Sequence, residues 1–196
     1  MKELKVTLTF NEYILGTASA NPEIHAEFIA SKAPDAQKME EEVANVGADE
    51  VFEKSLTVFP RGKEGEPILY DYQIKGFMKD TCGMLKRVPG TESGKLKAYK
   101  KEIDGLIFVK EREIPIKTDK PITILQRPLR AQTAQGERVA LASSERIEAG
   151  ATVTFTIMTL RDDLMPVVKE WLEYGALRGI GQWRNSGAGR FSWEVA

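Results

Sequence analysis

"ATVTFTIMTLRDDLMPVVKEWLEYGALRGIGQWRNSGAGRFSWEV", residues 151–195, is the stretch that decides the fold of this chain. Polar and apolar side chains alternate over residues 151–160, which indicates a half-buried strand. Residues 162–177 place apolar side chains at helical spacing and begin with two aspartates at the positive end of the helix dipole. A glycine-rich segment then leads into a second strand at 191–195. The pattern is therefore strand, helix, loop and strand.

The residues before this stretch supply the remaining elements of a complete fold. KVTLTF (5–10) alternates as a half-buried strand, residues 75–88 favour a short helix, and residues 105–116 favour a strand. Together with the stretch above, they give the order strand, helix, strand, strand, helix, strand. That order predicts an α+β fold with a ferredoxin-like (RRM-like) βαββαβ core, in which helices cover one face of an antiparallel sheet.

Two insertions interrupt this core, within a chain that we interpret as a single domain over residues 1–196. The core segments are residues 1–10, 73–116 and 145–196. The elements predicted in the acidic insertion, residues 11–72, are helices at 21–33 and 35–46 and a hairpin with strands at 55–59 and 67–74. The second insertion, residues 117–144, contains most of a long hairpin whose arms, 122–133 and 138–147, flank a turn.

The composition is typical of a globular protein, with 42% hydrophobic and 29% charged residues. No run reaches the roughly 18 apolar residues that a membrane span needs. The first residues lack the apolar region and cleavage site of an export signal. Cys82 is the single cysteine, which excludes an internal disulfide. We therefore expect a cytoplasmic protein with no membrane partner.

The net charge of −1 conceals an asymmetry along the chain. Residues 1–72 carry 7 Lys and Arg against 14 Asp and Glu, whereas residues 73–196 carry 21 against 15. Eight arginines lie between Arg127 and Arg190. The planar guanidinium suits bidentate contact with phosphate, but an acidic segment can also simply pack against a basic one.

The glycine-rich segment 179–190 has three possible interpretations. A phosphate-binding loop is rejected, because that loop follows a strand and precedes a helix, whereas the order here is reversed. A crowded turn explains the glycines through positive φ angles or close packing. A groove for a nucleic-acid backbone also explains the arginines and the tryptophan between them. The residues that such a groove would use are Gly179, Gly181, Trp183, Arg184, Gly187, Gly189 and Arg190.

Three segments resemble the RAMP superfamily, the backbone and processing subunits of CRISPR RNA-guided complexes. QIKGFMKDTCGMLKR (73–87) resembles the stretch at which these proteins enter a helix at Lys-Gly. SSERIEAGATVTFTIMTL (143–160) resembles a strand that follows Ala-Gly, and residues 172–195 resemble the helix, glycine-rich loop and final strand. The three segments occur in the family's order and span the core. Gln73-Ile74 stands where the family has Gly-Ser-Ser.

The resemblance implies contact with the RNA backbone at Lys75, Gly76 and Lys79 and around the glycine-rich loop. Arg127, Arg130 and Arg138, on the predicted hairpin, would form a finger that reaches along the RNA. Other interpretations remain open at both places. The two lysines are also compatible with a solvated helix face, and the hairpin arginines are compatible with pairing to the acidic insertion.

We expect no enzymatic activity, no cofactor and no metal site. His25 is the single histidine and lies in the acidic insertion, so a zinc site, a Cys–His pair or a Ser-His-Asp triad has little support. Asp71 precedes Lys75 at the place where some RAMP proteins have a cutting aspartate, but no motif surrounds it. A metal-dependent ribonuclease therefore remains an alternative.

The leading hypothesis is an RNA-binding protein that holds single-stranded, guide-type RNA by its backbone. It would act as a subunit of an RNA-guided CRISPR complex, or as a phage-encoded protein that interferes with one. Its expected partners are single-stranded RNA and either other protein subunits or copies of itself along the RNA. A second alternative is a non-enzymatic protein-interaction or phage assembly protein.

Overall fold

The computed structural model describes residues 1–20, 56–133 and 136–196, with residues 129–133 and 136–140 described by their backbone alone. The two helices predicted at 21–33 and 35–46 lie outside the described residues, as does His25. Numbered over the described residues, the strands are β1 (Lys2–Phe10), β2 (Ile14–Leu15), β3 (Ala18–Ser19), β4 (Leu56–Val58), β5 (Ile68–Tyr70), β6 (Ile107–Val109), β7 (Glu113–Lys117), β8 (Thr123–Thr133), β9 (Gly136–Ile147), β10 (Thr152–Thr159) and β11 (Phe191–Val195). The helices are α1 (Asp71–Leu85), α2 (Tyr99–Leu106) and α3 (Leu164–Arg178). No helix in these ranges is long and apolar enough to span a bilayer.

The first sheet has the ferredoxin-like arrangement that the sequence predicts. Its strand order is β11-β1-β10-β7-β5, and β6 pairs with β10 on the same side as β7. All of these pairings are antiparallel. The βαββαβ unit runs through β1, α1, the β6–β7 pair, β10, α3 and β11. The predicted α+β fold class is confirmed.

Alternation along the strands places one face of this sheet in the core. In β1, Leu4, Val6, Leu8 and Phe10 are buried, and the residues between them point to the opposite face. Helices α1 and α3 cover the apolar face. Trp171 of α3 is fully buried, and its indole N–H donates to the Ser93 hydroxyl at 2.8 Å. That bond satisfies the only polar atom of the largest core side chain.

The two insertions meet in a second sheet, which the sequence did not predict. The hairpin β8–β9 is confirmed, with Thr133 opposite Gly136 at its turn. Strand β9 also pairs with β2 in the antiparallel sense and with β4 in the parallel sense. Residues on both sides of the 21–55 segment therefore attach to the hairpin. Segments that are distant in the sequence join here because β9 offers its second edge to them.

Two predicted strands have the wrong boundaries, and a side-chain hydrogen bond lies where each predicted strand is interrupted. The strand predicted at 67–74 stops at Tyr70, whose amide donates to the Gln73 side-chain oxygen at 2.7 Å and so starts α1. The strand predicted at 105–116 is divided between α2, β6 and β7. At the break, the Glu111 carboxylate accepts from the Thr156 amide at 2.7 Å and from its hydroxyl at 2.9 Å.

The hairpin predicted between strands 55–59 and 67–74 is also wrong. Strand β4 belongs to the second sheet, whereas β5 pairs with β7 in the first. A single bridge between Arg61 and Pro67 connects the two arms. The residues between the arms form the predicted turn, but the strands on either side belong to different sheets.

Helix α3 packs closely on β11 at Gly175, and this contact gives a testable prediction. A Cβ added to Gly175 of α3 would lie 2.1 Å from the Phe191 ring in β11. We expect Gly175→Ala to lower the free energy of unfolding by about 1–2 kcal/mol, because overpacking outweighs the gain in helix propensity. Urea denaturation measures the change.

The matched control is Gly105→Ala in α2, where an added Cβ meets nothing within 4 Å. This variant should be as stable as the wild type or more stable by up to about 1 kcal/mol. Equal stability of the two alanine variants would contradict the close packing of α3 on β11.

Candidate functional site

The glycine-rich segment folds back on itself between α3 and β11. The Ile180 amide donates to the Gly189 carbonyl oxygen at 2.9 Å, and a Cβ on Gly189 would lie 1.9 Å from the Ile180 carbonyl oxygen. A Cβ on Gly179 would lie 2.6 Å from the Ala188 carbonyl oxygen. Gly179 and Gly189 are both buried, so they permit backbone packing and present no surface to a ligand. Both glycines thus have a structural role in closing the segment, and their predicted contact with nucleic acid stays a prediction.

Gly181 and Gly187 are half-buried, and glycine is favoured at both positions because of their backbone conformation. Their φ angles are 88° and 89°. A Cβ at either position would meet only ordinary contacts, at 3.6 Å and 3.7 Å. Trp183, between them, has a φ of 57°, which is uncommon for a residue with a side chain. Such a conformation costs on the order of 1–3 kcal/mol, so the surroundings must hold Trp183 in place.

Arg127 of β8 holds Trp183 from the second sheet. The Arg127 guanidinium carbon lies 3.3 Å from the centroid of the Trp183 ring, which is a cation–π stack. Burial lowers the pKa of Arg127; Tyr13 opposes this effect and Arg146 adds to it. Arg127 remains charged at neutral pH because its ordinary value is so high. The site therefore combines a positive charge from the second sheet with an aromatic ring from the glycine-rich segment.

Asp80 of α1 forms ion pairs with two arginines, Arg178 at the end of α3 and Arg184 in the glycine-rich segment. Its carboxylate lies 2.8 Å from Arg178 Nε and 2.6 Å from an Arg184 terminal nitrogen. Burial alone would raise the pKa of Asp80, but the hydrogen bond from Arg178 and the charges of both arginines lower it. Arg178 also donates to the Asn185 side-chain oxygen at 2.8 Å. Two guanidinium groups share one carboxylate, so the cluster of Asp80, Arg178 and Arg184 keeps a net positive charge.

Arg190 is exposed and its guanidinium has no hydrogen bond or ion pair within the part of the chain described. The guanidinium lies over Gly187, since its atoms are 3.7–3.9 Å from where a Cβ would stand. The Arg190 carbonyl accepts from the Asn11 amide at 2.8 Å, which fixes the backbone. The charge of Arg190 is therefore available to an external anion.

Lys75 and Lys79 of α1 both contact α2. The Lys75 ammonium donates to the Asp104 carbonyl oxygen at 3.2 Å and lies 4.7 Å from the centroid of the Phe108 ring. Lys79 forms an ion pair with the Asp104 carboxylate at 2.6 Å. Burial lowers the pKa of Lys75, with Asp104 opposing this effect. Gly76 is exposed and has open space where a side chain would lie.

The two lysines and the glycine-rich segment therefore use different faces of α1. Asp80, which holds the arginines, directly follows Lys79, and adjacent helical residues do not share a face. The structure brings α1 and the glycine-rich segment together through Asp80. Lys75 and Lys79 do not lie on the side of α1 that contacts the glycine-rich segment, because both bind Asp104 of α2.

Residues 11–19 connect the glycine-rich segment to the start of α1. The Gly189 amide donates to the Tyr13 carbonyl oxygen at 2.8 Å. Further along, the Gln73 side-chain amide donates to the Thr17 hydroxyl at 2.6 Å. The Tyr13 ring lies 4.7 Å from the Arg146 guanidinium carbon. Sequence reasoning missed Tyr13, Thr17 and Asp80, since no motif marks them and only the fold brings them to the site.

Arg130 and Arg138 lie further along the hairpin than Arg127. Arg130 is opposite Val139 and Ala131 is opposite Arg138 in the β8–β9 register. The directions of both arginine side chains lie outside what the structure describes. The predicted hairpin is present, with Arg127 at the site and the two outer arginines toward its tip, while its contact with RNA stays a prediction.

An open depression of about 450 Å³ lies at the surface of the glycine-rich segment. The residues that line it are Arg178, Gly181, Gln182, Trp183, Arg184 and Asn185. Two of them are arginines, one is aromatic and the others offer amide groups, so the lining suits an anion attached to a flat ring. We call the depression and Arg190 beside it the loop site.

The residues considered for catalysis are not assembled in the described part of the chain. Asp71 is the first residue of α1 and forms an ion pair with Arg112. Cys82 is buried, and burial raises its pKa to about 11, so the thiol stays protonated at neutral pH. Over residues 1–20, 56–133 and 136–196, no group of three His, Cys, Asp or Glu residues is placed to hold a metal ion.

No family model and no curated protein matches the sequence. A chain of the cryo-EM structure of the type III-B Cmr-beta bound to cognate target RNA is similar in fold, with a TM-score of 0.54 and 13% identity. The match covers 98% of this chain and 59% of that chain, so this protein spans little more than half of its length.

A second structure extends the likeness. A chain of a type IV-B CRISPR complex gives a TM-score of 0.50 at 10% identity, over 100% of this chain and 90% of that one. At such identities the similarity shows the fold alone. The fold is therefore shared with a chain of each of these two CRISPR complexes.

The lowered pKa of Asp80 predicts how the stability of the fold depends on pH. Its folded pKa lies below its ordinary value of 3.8, so its contribution to stability is complete above the unfolded pKa and is lost as pH falls through the folded one. We expect the wild type to lose more unfolding free energy between about pH 5 and pH 3 than Asp80→Asn does. Urea denaturation at both pH values measures the difference.

Asp119→Asn, on an exposed turn, is the matched control for removing one carboxylate. This control should keep the acid sensitivity of the wild type. If Asp80→Asn were equally acid-sensitive, the carboxylate would not be what holds Arg178 and Arg184.

Proposed function

We propose that this protein binds single-stranded RNA by its backbone at the loop site. The observation that carries the proposal is the placement of Trp183, stacked under Arg127, beside Arg190 and the pair formed by Arg178 and Arg184. Proteins that bind single strands combine a positive groove for the phosphates with an aromatic ring on which a base can stack. Arg127 stacks on the half-buried ring, Arg178 and Arg184 line the same depression, and Arg190 lies over the neighbouring Gly187.

The fold supports the same proposal. Chains of similar fold come from a type III-B complex bound to cognate target RNA and from a type IV-B CRISPR complex. We infer that this protein acts as a subunit of an RNA-guided CRISPR complex, or as a phage-encoded protein that interferes with one. Other protein subunits or further copies of the chain would bind along the same RNA. The proposed role is binding without catalysis.

Binding through the backbone predicts a strong dependence on salt. Each phosphate contact on a single strand contributes about 0.7 to the slope of log affinity against log salt concentration. Three or four contacts at the loop site should therefore give a slope of about −2 to −3. Fluorescence anisotropy with labelled single-stranded RNA measures it. An affinity that does not change with salt would contradict backbone binding.

The loop site itself is tested by substitution. We expect Trp183→Ala combined with Arg190→Ala to weaken binding of single-stranded RNA by about 1–3 kcal/mol or more, since stacking and one phosphate contact are both lost. Arg184 is left in place because its ion pair with Asp80 supports the loop.

The control for the loop site is Arg161→Ala, which removes an exposed arginine that pairs with Asp163 and Glu102 instead. It should bind RNA like the wild type. If the Trp183 and Arg190 variant keeps its fold and its full affinity, the loop site is not where RNA binds.

The cellular role is tested by the molecules that accompany the protein. Sequencing of RNA that co-purifies with the tagged chain should yield guide-type RNA, together with other subunits of a CRISPR complex. Purification without nucleic acid, at low salt and from cells that carry such a complex, would count against this role.

A further inference from the structure

A second depression, of about 270 Å³, lies between the end of α1 and the start of α2. The residues that line it are Lys86, Lys97, Ala98, Tyr99, Lys100 and Lys101. We call it the lysine cleft. All four of its lysines are exposed, and no carboxylate contributes to its walls. Charges of one sign gathered in a cleft raise the local concentration of the opposite ion.

The lysines of the cleft are not neutralised by the rest of the described chain. The nearby carboxylates are already engaged: Glu92 pairs with Lys95 and Glu102 pairs with Arg161. None of the four cleft lysines forms an ion pair in the described ranges. Within the described ranges the repulsion among these lysines is therefore uncompensated, and an external anion would relieve it.

Contacts within the protein hold two side chains of the cleft, Lys86 and Tyr99, in place. The Lys86 ammonium donates to the Lys97 carbonyl oxygen at 3.0 Å and lies 5.6 Å from the centroid of the Tyr99 ring. The Tyr99 hydroxyl lies 3.2 Å from where a Cβ on Gly83 would stand, so the ring rests directly against α1. One lysine and one aromatic ring are thus fixed, and Lys97, Lys100 and Lys101 surround them.

The cleft is distinct from the loop site. Asp80, which holds the arginines of the loop site, lies six residues before Lys86 along α1. That spacing corresponds to a rise of about 9 Å along the helix. No residue lines both depressions.

The chemistry of the cleft favours a ribose-phosphate chain over an acidic protein segment. Protein interfaces are depleted in lysine at their cores and depend on buried aromatic and apolar anchors, whereas four exposed lysines dominate here. Ammonium groups on flexible stems bind phosphates as point charges, without the bidentate geometry that a fixed carboxylate partner would favour. An adjacent aromatic ring adds a surface for a base or a ribose.

We propose that the lysine cleft, formed by Lys86, Lys97, Lys100 and Lys101 around Tyr99, is a second contact for the RNA backbone, separate from the loop site. The inference rests on the proposed function, since it assigns further phosphates of the same RNA. A single strand that passes the loop site would continue along α1 to the cleft. RNA too short to reach both sites would use one of them.

The test compares two triple variants of equal charge change. Lys97→Ala, Lys100→Ala and Lys101→Ala are combined to remove cleft charge, while Lys86 is kept because it supports Tyr99. Lys5→Ala, Lys110→Ala and Lys117→Ala are combined as the control, since all three are exposed lysines in or beside strands of the first sheet. Anisotropy is measured with single-stranded RNA of about 8 nucleotides, a typical single-groove length, and with RNA several times longer.

We expect the cleft variant to bind the long RNA less tightly, by on the order of tenfold to a hundredfold near 0.1 M salt, with the salt slope reduced by about 2. The control variant should keep both values. The cleft variant should also lose the extra affinity that the wild type shows for long over short RNA. Unchanged urea denaturation confirms that the lysine substitutions leave the fold intact.

Other outcomes overturn the inference in distinguishable ways. If the cleft variant matches the wild type on long RNA while the Trp183 and Arg190 variant has lost binding, the cleft is not an RNA contact and the proposed function stands. If the wild type binds no RNA, the proposed function fails and the inference fails with it. If polyglutamate binds as tightly as RNA and depends on the same three lysines, the cleft belongs to an acidic peptide.

Discussion

The close approach of two backbone segments at Ile180 and Gly189 is the constraint on which the loop site depends. The hydrogen bond between them measures 2.9 Å, and no side chain fits at Gly189. Because the segment closes in this way, β11 begins at Phe191 against Gly175 of α3, and the residues between are displayed at the surface. The same closure leaves Trp183 in a left-handed conformation that a packed neighbour must support.

Electrostatics divides the basic residues into two groups with different roles. Arg178 and Arg184 are tied to Asp80, and Lys79 is tied to Asp104, so part of their charge serves to position the elements that carry them. A partly buried carboxylate with two arginines is a stronger tie than an exposed pair, since less water screens it. Several of the cations that lack such an ion pair in the described chain lie around the glycine-rich segment and between α1 and α2. These are the cations that an anionic ligand can neutralise.

Sequence patterns predicted the elements whose signals are local. The strand β10, the helix α3 and the pairing of β8 with β9 were all predicted correctly, because each signal is local in the sequence. The prediction failed where a polar side chain ends an element, as at Gln73 and Glu111. Periodicity does not record such bonds, since a glutamine or glutamate looks the same in the sequence whether or not it caps a neighbour.

The sequence by itself determined that this chain forms a ferredoxin-like core and that its glycine-rich segment is rich in arginine. Only the tertiary structure decided which of these residues form a site. It assigned Gly179 and Gly189 to packing, brought Arg127 onto Trp183 and turned Lys75 toward Asp104. It also joined the two insertions through β9, which no local pattern indicates. The physical reason is that strand pairing and ion pairs between distant residues depend on where the folded backbone brings them.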